Sequence, residues 1–207
     1  MVEHSIPHRL NSKSPTDVPQ LWVLAGGNGA GKSTFYERFL KPSGLPFVNA
    51  DILARELFPD DPEANSYEAA RAVEVLRQQL VEEGRTFCFE TVFSHPSKID
   101  FVAMARARGY EIILVYIHLE LAALNVARVS QRVGEGGHSV PEDKIASRIP
   151  RTMENVRTAL PLCDRCRFVD NSDARQPMQF VADYRDGAIE LLQDPAPTWL
   201  GFLLRPE

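Results

Sequence analysis

The sequence predicts an α/β domain with a mostly parallel sheet covered by helices on both faces, and three observations carry that expectation. Short apolar runs of strand length alternate with longer stretches of helical spacing, a glycine loop joins the first run to the first helical stretch, and no internal repeat breaks the series.

Leu21 to Ala25 is an apolar run ended by glycines, as suits a buried strand, and Lys32 to Leu40 then takes helical spacing. Pro46 to Ala50 is a second brief apolar run, ending in Asp51. From Glu63 to Glu83 apolar residues recur at Ala69, Val73, Leu76 and Leu80 before Gly84, which reads as a helix with a glycine C-cap. Thr86 to Phe89 is β-branched and aromatic, a third strand that delivers Glu90 and Thr91 at its C-terminal end. A helix is expected from about Pro96 to Arg108, stopped by Gly109, and Tyr110 to Leu119 is the longest β-rich run. Leu121 to Val133 returns to helical spacing until Gly134-Glu135-Gly136-Gly137 announces a mobile loop. A further helix begins at Pro141 and runs to about Leu160, and Arg167 to Val169 forms a short strand before Asp170-Asn171-Ser172. In the tail, Gln179 to Tyr184 and Ala188 to Leu192 flank Arg185-Asp186-Gly187, and Asp-Gly between two β-capable runs signals a hairpin.

At 207 residues, 44% of them apolar, the chain suits one compact domain better than two. The expected division is a flexible arm over 1–20, a main domain over 21–175 with a lid at about 128–151, and a hairpin and tail over 176–207 packed on the same domain. A formal net charge of −5 argues against nucleic acid or an anionic membrane as partner, since affinity for a polyanion comes mostly from Lys and Arg. No apolar run approaches the roughly 18 residues of a membrane span, and the first 20 residues have no hydrophobic signal core, so a soluble, cytoplasmic protein is expected. Three cysteines are too few for a disulfide framework. Cys163 and Cys166 form a lone C-x-x-C, and buried reduced thiols are expected there in preference to a zinc or redox site.

The stretch Gly26-Gly27-Asn28-Gly29-Ala30-Gly31-Lys32-Ser33 fits G-x-x-x-x-G-K-[ST] and lies between a strand and a helix, as a phosphate-binding P-loop requires. Glycines let backbone amides wrap the β-phosphate, the helix start adds positive potential, Lys32 reaches the β- and γ-phosphates, and Ser33 can ligand Mg²⁺. The nucleotide-binding segment runs from Gly26 to Thr34. Neither an N-K-x-D guanine motif nor an L-S-G-G-Q transporter signature is present, while the short chain and the later glycine-arginine loop favour a small kinase.

Asp51 stands at a strand end on the expected crevice. It can take a proton from an acceptor hydroxyl or hold magnesium through water, or it can cap a helix over Ile52 to Leu57. Glu90 and Thr91 can bind acceptor hydroxyls or complete the magnesium shell, against the plainer reading of a polar strand end facing water. Arg128 and Arg132 share a helix face leading into the glycine loop and His138, and Arg148 and Arg151 follow on the next helix. Closed over a γ-phosphate, two such guanidinium groups would neutralise transition-state charge; left open, they form a solvated basic face. His138 could contact phosphate or cap the loop. Asp170-Asn171-Ser172 can offer backbone groups to a base or form a plain turn.

Together these residues resemble the zeta-toxin-like P-loop kinases in their shorter form. The likeness is carried by Ala25 to Thr34, Asn49-Ala50-Asp51, Phe89-Glu90-Thr91, Arg132-Val133, Gly136-Gly137-His138-Ser139-Val140-Pro141, Ile145, Arg148 and Asp170-Asn171-Ser172, so it spans roughly residues 20–175. The resemblance implies an adenylate-kinase-like five-stranded sheet of order 2-3-1-4-5 and ATP-dependent phosphorylation of a small-molecule hydroxyl. In the best-known members that hydroxyl is the 3′-hydroxyl of UDP-N-acetylglucosamine. It also implies Lys32 on phosphate, Asp51 as general base, Glu90 with Thr91 facing the acceptor, Arg132 as the first γ-phosphate arginine, and Arg148 or Arg151 as the second. A toxin role would bring a neutralising antitoxin protein as partner. A different class of function fits the same loop: an ATP-dependent switch that exposes a surface to a protein partner without transferring phosphate.

Overall fold

A computed structural model of the protein describes residues 18–62, 64–120, 122–134 and 141–204, with the side chains of 122, 123 and 131–134 outside that description. Most of the expected arm, the glycine loop after Gly134, His138 and the side chain of Arg132 therefore lie outside the described residues.

The centre of the sheet is β1 (Gln20–Ala25), buried from Leu21 onward. It runs parallel to β3 (Phe87–Thr91) on one side and β4 (Glu111–His118) on the other. The two-residue β2 (Phe47–Val48) lies outside β3, and β5 (Arg165–Asp170) lies outside β4, both parallel. The order 2-3-1-4-5 is thus present. The sheet does not stop at five strands, however. The expected hairpin, β6 (Gln179–Arg185) and β7 (Ala188–Leu191), continues it antiparallel beyond β5 to give seven strands among the described residues. Asp186 and Gly187 at its tip both have positive φ, 50° and 84°, the geometry of a type I′ turn that the Asp-Gly pair favours.

Strand alternation sorts the core into two layers. Leu21, Val23, Phe87, Phe89, Ile112 and Leu114 face α3 (Ser66–Glu82), α4 (Ser97–Ala107), α6 (Glu142–Ala159) and the short α7 (Thr198–Leu203). Trp22, Leu24, Cys88, Ile113, Val115 and Ile117 face α1 (Lys32–Phe35), which continues as a wider π-type turn through Leu40, and Leu124 of α5 (Ala122–Gly134). The eight-residue α2 (Ala50–Leu57) follows β2 directly.

The boundaries depart from expectation in four places, the first being the second strand, which ends at Val48 so that Ala50 already belongs to α2. Strand β5 starts at Arg165, because Arg165 and Arg167 lie on the half-exposed side, paired with Glu111 and Asp183 at 2.9 and 2.7 Å, while Cys166 and Phe168 fill the core. The long helix begins at Ser66, three residues after Glu63. Helix α7 was not expected. Its Trp199 stacks on His118 at 4.3 Å, and its indole N–H donates to Asp170 at 2.8 Å. All three cysteines are unpaired and buried, as expected, and burial pushes the Cys163 thiol up to about 12.

Candidate active site at the phosphate loop

The loop after β1 turns so closely that a side chain at Gly26 would place its Cβ 2.5 Å from the Ile117 carbonyl of β4. Gly31 caps α1 in the left-handed region at φ 98°, where a Cβ would lie 2.7 Å from Asn171 Nδ2. Lys32, 5% exposed, folds back over the loop, and its ammonium donates to the carbonyls of Gly26 and Gly27 at 3.0 and 2.9 Å.

Glu90 at the end of β3 closes one side. Its Oε2 accepts from the Ser33 hydroxyl at 2.7 Å and from the Asn49 amide at 2.8 Å, while Oε1 lies 3.7 Å from the Lys32 ammonium. Asn49 in turn caps α2: its Oδ1 accepts from the backbone N–H groups of Asp51 and Ile52 at 2.8 and 3.1 Å. This corrects the alternative in which Asp51 caps the helix. Asp51 sits inside the first turn, because the asparagine at the strand exit already satisfies the free N–H groups.

Thr91 is used locally, its hydroxyl accepting from the Phe93 N–H at 3.0 Å in a turn where Phe93 has φ 62°, a costly conformation for a bulky residue. Helix α6 holds this turn: the Thr152 hydroxyl lies 2.8 Å from the Val92 carbonyl, and the Asn155 amide donates to the Phe93 carbonyl at 2.9 Å. One turn earlier on α6, the Arg148 guanidinium reaches Asn28 Oδ1 of the loop at 3.4 Å. Arg151 does not come to the loop. It folds back onto Ser147, donating to its carbonyl at 3.0 Å. Arg128 donates to the Asn171 carbonyl at 3.0 Å, at the edge of the loop.

Of the residues singled out from the sequence, Lys32, Ser33, Glu90 and Arg148 meet at the loop and Asp51 lies in the first turn of α2, while what two asparagines do was not legible there. Besides Asn49 there is Asn171, 5% exposed, whose amide donates to the Ala30 carbonyl at 2.8 Å while its oxygen accepts from the Met178 N–H at 3.2 Å. The Asp170-Asn171-Ser172 stretch is therefore a brace for the loop as well as a turn. Next to it the buried His118 contacts the buried Tyr116 hydroxyl at 3.0 Å and the exposed Glu120 at 3.1 Å. Burial holds the His118 imidazole below its ordinary range, opposed by the hydrogen bond to Glu120.

Among the described residues no cluster of three or more His, Cys, Asp or Glu side chains could hold a metal ion. Mg²⁺ needs no such cage when it travels with nucleotide phosphates, and a hydroxyl beside a carboxylate, as in Ser33 and Glu90, fits that manner of binding.

The family model described as the AAA domain matches residues 21–153. An uncharacterized protein of Haemophilus influenzae is 29% identical over 136 residues, covering 62% of this chain and 96% of its own. Among solved structures, one from the PezAT chromosomal toxin–antitoxin system of Streptococcus pneumoniae superposes with a TM-score of 0.62 at 21% identity, over 85% of this chain and 75% of that one. The AvrRxo1-ORF1:-ORF2 complex with ATP gives 0.68 at 17% identity, over 84% of this chain and 61% of that one, so this chain spans about three-fifths of its length. These likenesses show a P-loop kinase-like fold, and they bear out the resemblance read from the motifs.

Proposed function

We propose that this chain, which belongs to the AAA domain family, transfers the γ-phosphoryl group of ATP to a hydroxyl group of a small molecule, with a UDP-sugar such as UDP-N-acetylglucosamine as the first acceptor to test. The observation that supports this reading is the hydrogen-bonded row from Ser33 through Glu90 and Asn49 to the backbone N–H of Asp51 in the first turn of α2.

The loop amides and Lys32 hold the β- and γ-phosphates, with the lysine leaving the two carbonyls for the anion. Ser33 and Glu90 would hold Mg²⁺, which when bound neutralises charge on the β- and γ-oxygens. Asp51 accepts the proton of the attacking hydroxyl. As the new O–P bond forms at the γ-phosphorus, the bond to the bridging oxygen breaks and ADP leaves with that electron pair. Arg148, already at the loop, balances charge on the transferring oxygens, and by resemblance Arg132 does the same from α5. Arg128, His138 and Arg151 have no assigned step.

Incubation with ATP, Mg²⁺ and a panel of UDP-sugars, nucleosides and nucleotides is expected to give one phosphorylated product by mass spectrometry. Asp51→Asn should lower the transfer rate by about 10²–10⁴-fold, the usual worth of a general base, with ATP affinity unchanged. Unmodified acceptors together with an unaffected Asp51→Asn ATP turnover would overturn the assignment. A neutralising protein partner and a cytoplasmic setting belong to the same reading. Growth arrest on expression that Lys32→Ala relieves is its cellular test.

A further inference from the structure

We infer that Asn49 is the positioning residue that locks the metal-side carboxylate to the acceptor-side helix, so that Glu90 and Asp51 are held as one unit. The inference rests on the phosphoryl-transfer reading above.

Asn49 leaves β2 with extended backbone, φ −134° and ψ 131°, and is only 8% exposed. Both ends of its amide are occupied. The oxygen receives two N–H groups from α2, at Asp51 and Ile52, and the nitrogen donates to Glu90 Oε2 at 2.8 Å. That same Oε2 receives the Ser33 hydroxyl. Asn49 and Ser33 therefore share one carboxylate oxygen, and Oε1 is turned towards Lys32, 3.7 Å away.

The chemistry asks for a side chain that is short, neutral, and both donor and acceptor. Aspartate could cap α2 but would set a second negative oxygen against Glu90. Serine and threonine cap well but have no donor that reaches the carboxylate once the hydroxyl is turned to the helix. Asparagine at this position serves the fold and the site with one planar group, and the two roles can be separated by substitution.

The test uses Asn49→Ser, which keeps a cap and removes the amide nitrogen that donates to Glu90, with Asn49→Thr in its place if the serine variant does not fold. Melting temperature and the Mg²⁺ dependence of ATP binding by calorimetry are read on the whole chain, with Glu90→Ala and the double variant alongside. A melting temperature close to wild type with a half-saturating Mg²⁺ concentration raised roughly 10–100-fold is expected, the usual effect of losing a group that orients a metal ligand. The rise should vanish in the Glu90→Ala background. A lowered melting temperature with unmoved Mg²⁺ dependence reduces Asn49 to a helix cap, and a full-sized effect without Glu90 shows that it acts elsewhere; either overturns the inference. Wild-type ATP binding that ignores Mg²⁺ overturns it as well. Mg²⁺-dependent binding with no acceptor phosphorylated leaves the inference standing and removes only the proposed transfer.

Discussion

Replacing Asn171 with alanine removes a brace between elements far apart in the chain: the loop at Ala30, the lead into β6 at Met178, and the end of β5. Both partner groups are buried, Ala30 at 0% and Met178 at 6% exposure, so after truncation the Ala30 carbonyl loses its donor and the Met178 N–H its acceptor. A buried group left without its partner costs about 1–3 kcal/mol. Two of them give about 2–6 kcal/mol. For a domain of this size about 2–4 °C is lost per kcal/mol, so the melting temperature should fall by roughly 4–24 °C. Asn171→Asp separates the two bonds, because it still accepts from Met178 but sets a negative oxygen against the Ala30 carbonyl. It should lower ATP affinity at least about tenfold, equivalent to some 1.4 kcal/mol, while losing less stability than alanine. Differential scanning fluorimetry and ATP titration read both effects. An Asn171→Ala protein that melts within about 1 °C of wild type would refute the brace, since such a result is below the smallest cost of even one orphaned group.

Gly31→Ala places a Cβ at φ 98° and 2.7 Å from both Asn171 Nδ2 and Met178 Cε. The left-handed backbone alone costs about 1–2 kcal/mol, and ATP binding should be lost by titration; wild-type affinity would show that the loop yields where it is drawn rigid. His118 makes stability pH-dependent. Its folded-state affinity for a proton is depressed by burial, so its contribution is complete above the ordinary value of 6.5 and is lost as pH falls below it through the folded value. Melting curves from about pH 8 to about pH 5 should therefore show a decline that His118→Gln flattens. Tyr116, Glu120 and Asp170 face the ring, and the two carboxylates oppose the depression without reversing it. An unchanged profile in the variant would assign the decline elsewhere.

Much of this site is legible in the sequence because its chemistry is local. Strand, glycine loop, lysine and hydroxyl follow one another in the thirteen residues from Leu21 to Ser33, and Asp51 and Glu90 each close an apolar run. What stayed hidden are side chains whose partners are set by folding alone. Asn171 meets a carbonyl 141 positions away, and Asn49 a carboxylate 41 positions away. Spacing assigns residues to elements but does not say which amide faces which backbone group. The cap on α2 stays open in the sequence for the same reason: aspartate and asparagine both cap, and only the strand exit at Val48 decides that Asn49 and not Asp51 stands in place. The hairpin shows the limit from the other side. Asp186-Gly187 announced the turn, but a turn signal does not name the strand beside which the ribbon lies. Helix α7 offers six residues behind Pro195 and Pro197, too few for a periodic signal, and becomes necessary only because Trp199 covers His118.

The anchoring of α6 also decides where that helix can bend. Its far half is moored to the sheet through Thr152 and Asn155 and sunk into the core at Val156 and Ala159. Its near half bears Arg148 and meets the loop through a 3.4 Å contact. Between them stands Pro150, which has no N–H to offer the Ala146 carbonyl, so one rung of the helical ladder is missing where the mooring begins. Mechanically the helix is a beam held on both sides of a notch, by Ile145 before the proline and by Val156 and Ala159 after it. Compliance is concentrated in the turn that carries the arginine, and a load applied at the loop is taken up there before it reaches the strained turn at Phe93.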